Sequence, residues 1–231
     1  MKTTLLAVIL GAGVLGLAAR ANAVQYTVSV GPAIYNQINV SQNSGSTYRQ
    51  LWAVGELDAV QSGVQNPAYQ NPLFSYCTDI GIDLYVGQPY NFEAMTFADA
   101  NAGGPTRFPA WANEGILKAA YLYEQHKDAA HTDATQAAAL QLSIWEVLYD
   151  TGSYNLSSGT FRATGNTSVV QTADTWLAGV QNSTDVGYWL YPTPQNTQGL
   201  LMLSVPDAGS TCAILGMAFF AIEGFRRKMK A

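Results

Sequence analysis

The chain has 231 residues, of which only 12% are charged, 48% are hydrophobic and 11% are aromatic, with a formal net charge of −5. That balance supplies a packed core and excludes a disordered chain. The negative sign excludes nucleic acid or an anionic lipid surface as a partner. Tyr, Asn, Gln, Ser and Thr replace Lys and Glu on the expected surface, a composition suited to extracellular β-structure.

The first element is an address. Met1-Lys2 gives a positive start, Leu5 to Ala19 is apolar, and Ala21-Asn22-Ala23 places small residues where a signal peptidase reads. The pattern predicts a secretory signal over 1–23, cleaved after Ala23. The apolar run is short for a membrane span of about 20 residues.

Strand patterns follow. Val24 to Val30 alternates apolar and polar side chains, and Ile34 to Val40, Tyr48 to Leu57, Phe74 to Tyr85 and Tyr90 to Phe97 are separated by Gly, Pro, Asn and Ser clusters. Asn101-Ala102-Gly103-Gly104-Pro105 reads as a loop. From Pro109 to Lys127 the apolar spacing becomes helical, with Ala112, Ile116, Ala119, Ala120 and Tyr123 on one stripe. A second helix starts at Thr132-Asp133, where a short polar side chain caps the free amides, and runs to Tyr149. Val169 to Val180 predicts a third helix, and Val186 to Tyr191 and Gly199 to Val205 return to strand. The expected fold class is α+β: a β-sandwich or barrel over 24–204 with an inserted helical subdomain at about 109–150. A signal peptide and a C-terminal hydrophobic sorting helix flank it.

The C-terminus, 205–231, has three parts. Val205-Pro206-Asp207-Ala208-Gly209-Ser210-Thr211 precedes an apolar stretch from Cys212 to Phe225, interrupted by Glu223, and then Arg226-Arg227-Lys228. The apolar part is marginal for a membrane span, and the basic end would stay cytoplasmic. This layout resembles the PEP-CTERM class of bacterial sorting signals in its Val-Pro-Asp-Ser-Gly variant, with Val205, Pro206, Asp207, Gly209 and Ser210 in place. Ala208 stands where that variant usually has serine. The resemblance implies an exosortase-type processing enzyme as partner and a Gram-negative bacterium that makes extracellular polysaccharide. It also implies a transient or retained inner-membrane helix, and a product displayed at or released from the cell surface.

Only two cysteines occur, and Cys212 lies in that tail. The exported domain is thus left with one thiol, Cys77, and no disulfide partner. Cys77 sits in the alternating run Phe74-Ser75-Tyr76-Cys77-Thr78-Asp79-Ile80. In the second helix, Leu140, Ile144, Val147 and Leu148 form an apolar face, with Gln141 and Trp145 one turn apart on its flank. Burying the Gln141 amide there demands hydrogen-bond partners. If strand and helix pack together, the thiol and the carboxamide meet, and an internal thioester could form with loss of ammonia. The fold would have to supply proximity and donors to the transient oxyanion. Tyr76 and Trp145 would keep water away.

These residues resemble the thioester domains of bacterial surface adhesins. That family carries an aromatic residue or leucine before a cysteine, here Tyr76-Cys77, and a glutamine flanked by apolar residues four positions before a tryptophan, here Leu140-Gln141-Leu142-Ser143-Ile144-Trp145. Thr78 is polar where the family prefers an apolar side chain. The resemblance implies that Gln141 carries an electrophilic acyl group and Cys77 is the leaving group. An amine nucleophile on an unidentified target would be captured once per molecule, without enzymatic turnover or a cofactor.

Other readings of the same residues are weaker in chemistry. A cysteine hydrolase would need His126 or His131, but both fall in a polar joint between helices with no signature around Cys77. Glu114, Glu124 and Glu146 read as solvated charges. Two separated histidines and one cysteine make no metal site. The alternative to the thioester is a non-covalent module for extracellular polysaccharide or matrix with a silent cysteine. Its aromatic support is Trp52, Trp111, Trp176 and Trp189, most of which are expected in the core.

Overall fold

The computed structural model describes residues 24–29, 34–61, 73–85, 87–96, 112–183, 188–193 and 198–202. The expected signal peptide, the loop at 101–105, Trp111 and the sorting tail lie outside these residues. Among the described residues, no helix is long and apolar enough to cross a membrane.

The chain folds as a mixed helix and sheet structure in which, among the described residues, every strand pair is antiparallel. Strands β1 (Val24–Ser29), β4 (Leu57–Gln61), β5 (Leu73–Cys77), β9 (Leu200–Met202), β8 (Tyr188–Thr193) and β6 (Pro89–Thr96) close into a barrel in that order. A second sheet has the order β3 (Arg49–Gly55), β2 (Tyr35–Ser41), β7 (Arg162–Gly165). Helices α1 (Ala112–Ala130), α2 (Ala134–Tyr149) and α3 (Thr167–Leu177) complete the described elements.

Two expected strands are redrawn. The run from Tyr48 to Leu57 is two strands in different sheets, β3 and β4, joined at Glu56. The joint folds against β2: Glu56 N–H donates to the Ile34 carbonyl at 3.3 Å, and a Cβ on Gly55 would collide with that same carbonyl. Only glycine allows this approach. The run from Phe74 to Tyr85 is strand only to Cys77. Beyond it single contacts replace the ladder: Thr78 N–H donates to Gly199 O at 3.0 Å, and Ile80 N–H to the Tyr149 hydroxyl at 3.3 Å. Strand β7 was not expected from its short Arg-Ala-Thr-Gly sequence; it exists because β2 offers it a paired edge.

Helix α2 is the centre of the molecule. Asp133 caps it by accepting the Gln136 N–H at 2.9 Å. Its residues from Ala137 to Leu148 are all buried, rather than one face as the apolar spacing predicts. It lies between α1 and α3 and packs on β2, β3 and β5. Small residues allow this enclosure. Gly115 of α1 lies directly against the Val147 carbonyl, where a Cβ would collide. One apolar core therefore runs from the three-stranded sheet through the helices to the barrel wall at Tyr76 and Leu201.

Candidate functional site

The site forms where β5 leaves the barrel beside the middle of α2. Cys77 is the last residue of β5, paired with Leu200 on the neighbouring strand β9. Its N–H donates to Gln141 Oε1 at 2.8 Å, and its carbonyl accepts from Gln141 Nε2 at 2.7 Å. A backbone N–H can meet only the oxygen of a carboxamide, and a carbonyl only the nitrogen, so this pairing fixes the amide orientation. Gln141 is 1% exposed, and these two bonds are what make its burial tolerable. The glutamine is thus fully buried, not at the flank of a buried face.

Tyr76 precedes Cys77 on β5, and Trp145 lies one turn beyond Gln141 on α2. The Tyr76 ring is fully buried, edge-on to Tyr123 at 5.8 Å between centroids, and its hydroxyl donates to Glu56 Oε2 at 3.4 Å. Burial, and next the carboxylate of Glu56, push the Tyr76 hydroxyl pKa up. Trp145 packs edge-on to Phe161 at 6.3 Å, and its buried indole N–H has no partner. Thr78 is buried, with its hydroxyl 3.5 Å from Asp79 Oδ2. That carboxylate oxygen also accepts the Gly199 N–H at 2.7 Å, so a polar side chain after Cys77 is accommodated.

Cys77 itself is half-buried and borders an open cleft of ≈ 400 Å³, along with Trp145, Asp79, Asp83, Arg49 and Trp52. Desolvation is the main cause raising the thiol pKa, with the Asp79 and Asp83 carboxylates adding to it. A thiol so placed is a poor free nucleophile.

Several expectations about other residues are corrected. His126 belongs to α1, not to a joint, and stacks on Trp176 with centroids 3.9 Å apart; burial lowers its pKa. His131 is in the short α1–α2 turn, with Nδ1 2.7 Å from Glu56 Oε1. Neither histidine borders the cleft. Glu146 is not solvated. It is 1% exposed and burial, with Asp150 next, raises its pKa to about 9; Oε1 accepts the Asn155 N–H at 2.9 Å and Oε2 has no partner. Trp52 is 68% exposed on the cleft rim, whereas Trp189 is buried. Glu56, buried at the junction of both sheets, carried no signal in the sequence. Among the described residues there is no group of three or more His, Cys, Asp or Glu able to hold a metal.

Residues 204–229 match the VPDSG-CTERM motif, which covers the five motif positions from Val205 to Ser210 named above. No curated protein matches the chain. Among solved structures, the N-terminal thioester domain of the fibronectin-binding protein SfbI from Streptococcus pyogenes is similar at TM-score 0.41 and 12% identity, over 77% of this chain and 98% of that one. The N-terminal domain of the Streptococcus pyogenes pilus tip adhesin Cpa is similar at TM-score 0.45 and 13% identity, over the same shares.

Proposed function

We propose that this is an exported, surface-sorted protein that captures an amine-bearing target covalently through a Cys77–Gln141 thioester. The observation that carries the reading is the double hydrogen bond between the Gln141 carboxamide and the Cys77 backbone, beside a cleft that Cys77 borders.

The chemistry starts from that pairing. Cys77 N–H already points at Oε1, the atom that becomes an oxyanion when sulfur attacks the carboxamide carbon. The new bond is C–S, the bond broken is C–N, and the thiol proton leaves with the nitrogen as ammonia. Trp145 also borders this cleft, and its buried indole N–H, which does not bond Oε1 in the resting pair, is the candidate second donor once the carbon turns tetrahedral. Capture then reverses the roles. The target amine attacks the acyl carbon, C–S breaks, and the proton lost by nitrogen ends on sulfur. The reaction happens once per molecule, so the protein is a covalent binder and not a turnover enzyme. The sorting motif at 204–229 supports processing by an exosortase-like enzyme and delivery to the cell surface.

Intact-mass measurement of the exported protein tests this. The mass should be lower than that of the processed sequence by one ammonia. Methylamine should add as a whole molecule and expose one titratable thiol. Full mass before treatment and no methylamine adduct would leave a non-covalent module with a silent cysteine.

A further inference from the structure

The cleft at Cys77 does not end there. Arg49 and Ile80 border both it and a second hollow of ≈ 380 Å³, which continues past Tyr48, Asn43 and Thr47. The two hollows join at Arg49, whose guanidinium donates to the Ile80 carbonyl, giving a groove from the Cys77 cleft to the β2–β3 hairpin. Its lining is mixed: aliphatic Leu51, Leu57, Ile80, Ile82 and Leu84 lie in the Cys77 cleft, neutral amides and hydroxyls come from Gln50, Gln42, Asn43 and Thr47, and two aromatic rings, Trp52 and Tyr48, are exposed. Its charged side chains are Asp79 and Asp83 in the Cys77 cleft and Arg49 where the two hollows join. Asp83 is 72% exposed and meets Arg49 only at 3.9 Å, and the fields of Asp79 and Asp83 both reach the Cys77 thiol.

We infer that this groove is a subsite for a polysaccharide strand carrying free amino groups, with an amino sugar delivered to the acyl carbon at Cys77. This rests on the thioester reading only for the bond-forming step. The exposed Trp52 indole, next to Gln50 on β3, offers a flat apolar face beside an amide. It suits a pyranose, which presents an apolar C–H face to the ring and hydroxyls at its edge to amides. The carboxylates at the sulfur end raise the local concentration of an ammonium group, and salt screens this attraction. An amine on a ring carbon between oxygen-bearing carbons is less basic than lysine, so more of it is unprotonated and nucleophilic at neutral pH. Aminolysis joins its nitrogen to the Gln141 acyl carbon, and its proton passes to the departing sulfur.

The test has two arms, both using protein purified after export. In the first, C77A, which cannot form a thioester, is titrated calorimetrically with a β-1,4-linked glucosamine tetramer. The tetramer should bind, W52A/C77A should lose at least tenfold in affinity, and Y85A/C77A, altered at an exposed ring outside the groove, should not. In the second arm, wild-type adducts are counted by intact mass. The tetramer should add at least tenfold faster than methylamine or a lysine tetrapeptide at equal amine concentration. Absence of tetramer binding to C77A, indifference to W52A, or equal rates for sugar and lysine would overturn the subsite, even where methylamine adds. Tetramer binding without any methylamine adduct would support the subsite and overturn the thioester instead.

Discussion

Gln141 and Cys77, 64 positions apart, are locked edge to edge by two hydrogen bonds of 2.8 and 2.7 Å between a side-chain amide and a main-chain peptide group. The relationship is asymmetric. Every hydrogen bond involves the backbone of Cys77 and the side chain of Gln141, so the thiol contributes nothing to the pairing and remains available for chemistry.

That asymmetry separates two substitutions. Gln141→Ala leaves the Cys77 N–H and carbonyl without their α2 partner and opens a void in the core. Unfolding in urea should show a loss of about 2–4 kcal/mol. Cys77→Ala removes a half-buried side chain with no hydrogen bond of its own. Its intrinsic cost should stay near 1 kcal/mol when both variants are compared with methylamine-treated protein, in which the proposed crosslink is open. Equal losses for the two would deny the pairing its structural weight.

Trp145 gives a kinetic test. Its indole N–H is buried and unpartnered, a state that ordinarily costs about 1–3 kcal/mol. Trp145→Phe keeps the apolar ring against Phe161 and removes the donor. Stability measured by urea should change by less than about 1.5 kcal/mol. Thioester formation and methylamine addition, followed by mass, should both slow by about tenfold or more, as loss of an oxyanion donor does. Unchanged rates would assign Trp145 to packing alone.

Glu146 predicts an unusual pH dependence. Its folded pKa, about 9, lies above the ordinary 4.5, so between these values the folded state holds a proton that the unfolded state has lost. Unfolding then becomes easier as pH rises. The contribution is fully present below pH 4.5 and falls through the window up to about 9. Glu146→Gln keeps an oxygen for the Asn155 N–H and removes the titration. It should match wild type near pH 4.5 and exceed it by ~1–3 kcal/mol at pH 8. A constant difference across this range would show that the carboxyl is ionised when folded.

Much of this arrangement was legible in the sequence, and the exceptions share a cause. Helices α1, α2 and α3, the Asp133 cap and the alternation leading into Cys77 depend on local spacing, which a sequence displays directly. The meeting of Cys77 with Gln141 was readable only as a question of packing, because it joins residues 64 apart. What stayed hidden was set by distant partners. Gly55-Glu56 reads as the end of one strand until Ile34 and His131 are seen beside it. Glu146 reads as a surface charge until the 150–161 loop folds over it, supplying the Asn155 N–H. Trp52 is exposed although Val54, two positions on in the same strand, is buried: β2 and β3 slip register between Asn36 and Ile38. A bulge reverses which side of a strand a residue serves, and nothing in the local pattern records it.

His131 tests the junction that holds the two halves of the site. Its Nδ1 meets Glu56 Oε1 at 2.7 Å, Tyr76 touches the other carboxylate oxygen, and Phe74 covers the imidazole at 3.9 Å between centroids. Glu56 therefore links the turn before α2 to the strand that carries Cys77. Burial raises the Glu56 pKa, and the hydrogen bond and charge of His131 oppose that rise, while Asp58 adds to it. In His131→Ala the opposing influence is gone, so the Glu56 pKa rises further and the folded state keeps its proton to higher pH. A raised acid pKa means stability held below pH 4.5 and lost as pH climbs through the folded value. The loss caused by His131→Ala should therefore be smallest near pH 4.5 and grow towards pH 8, reaching about 1–3 kcal/mol. Glu56→Gln in the same background should flatten the profile, because the titrating group is removed. A pH-independent loss that Glu56→Gln leaves unaltered would mean that His131 acts by covering Phe74, and that the carboxylate does not tie α2 to β5.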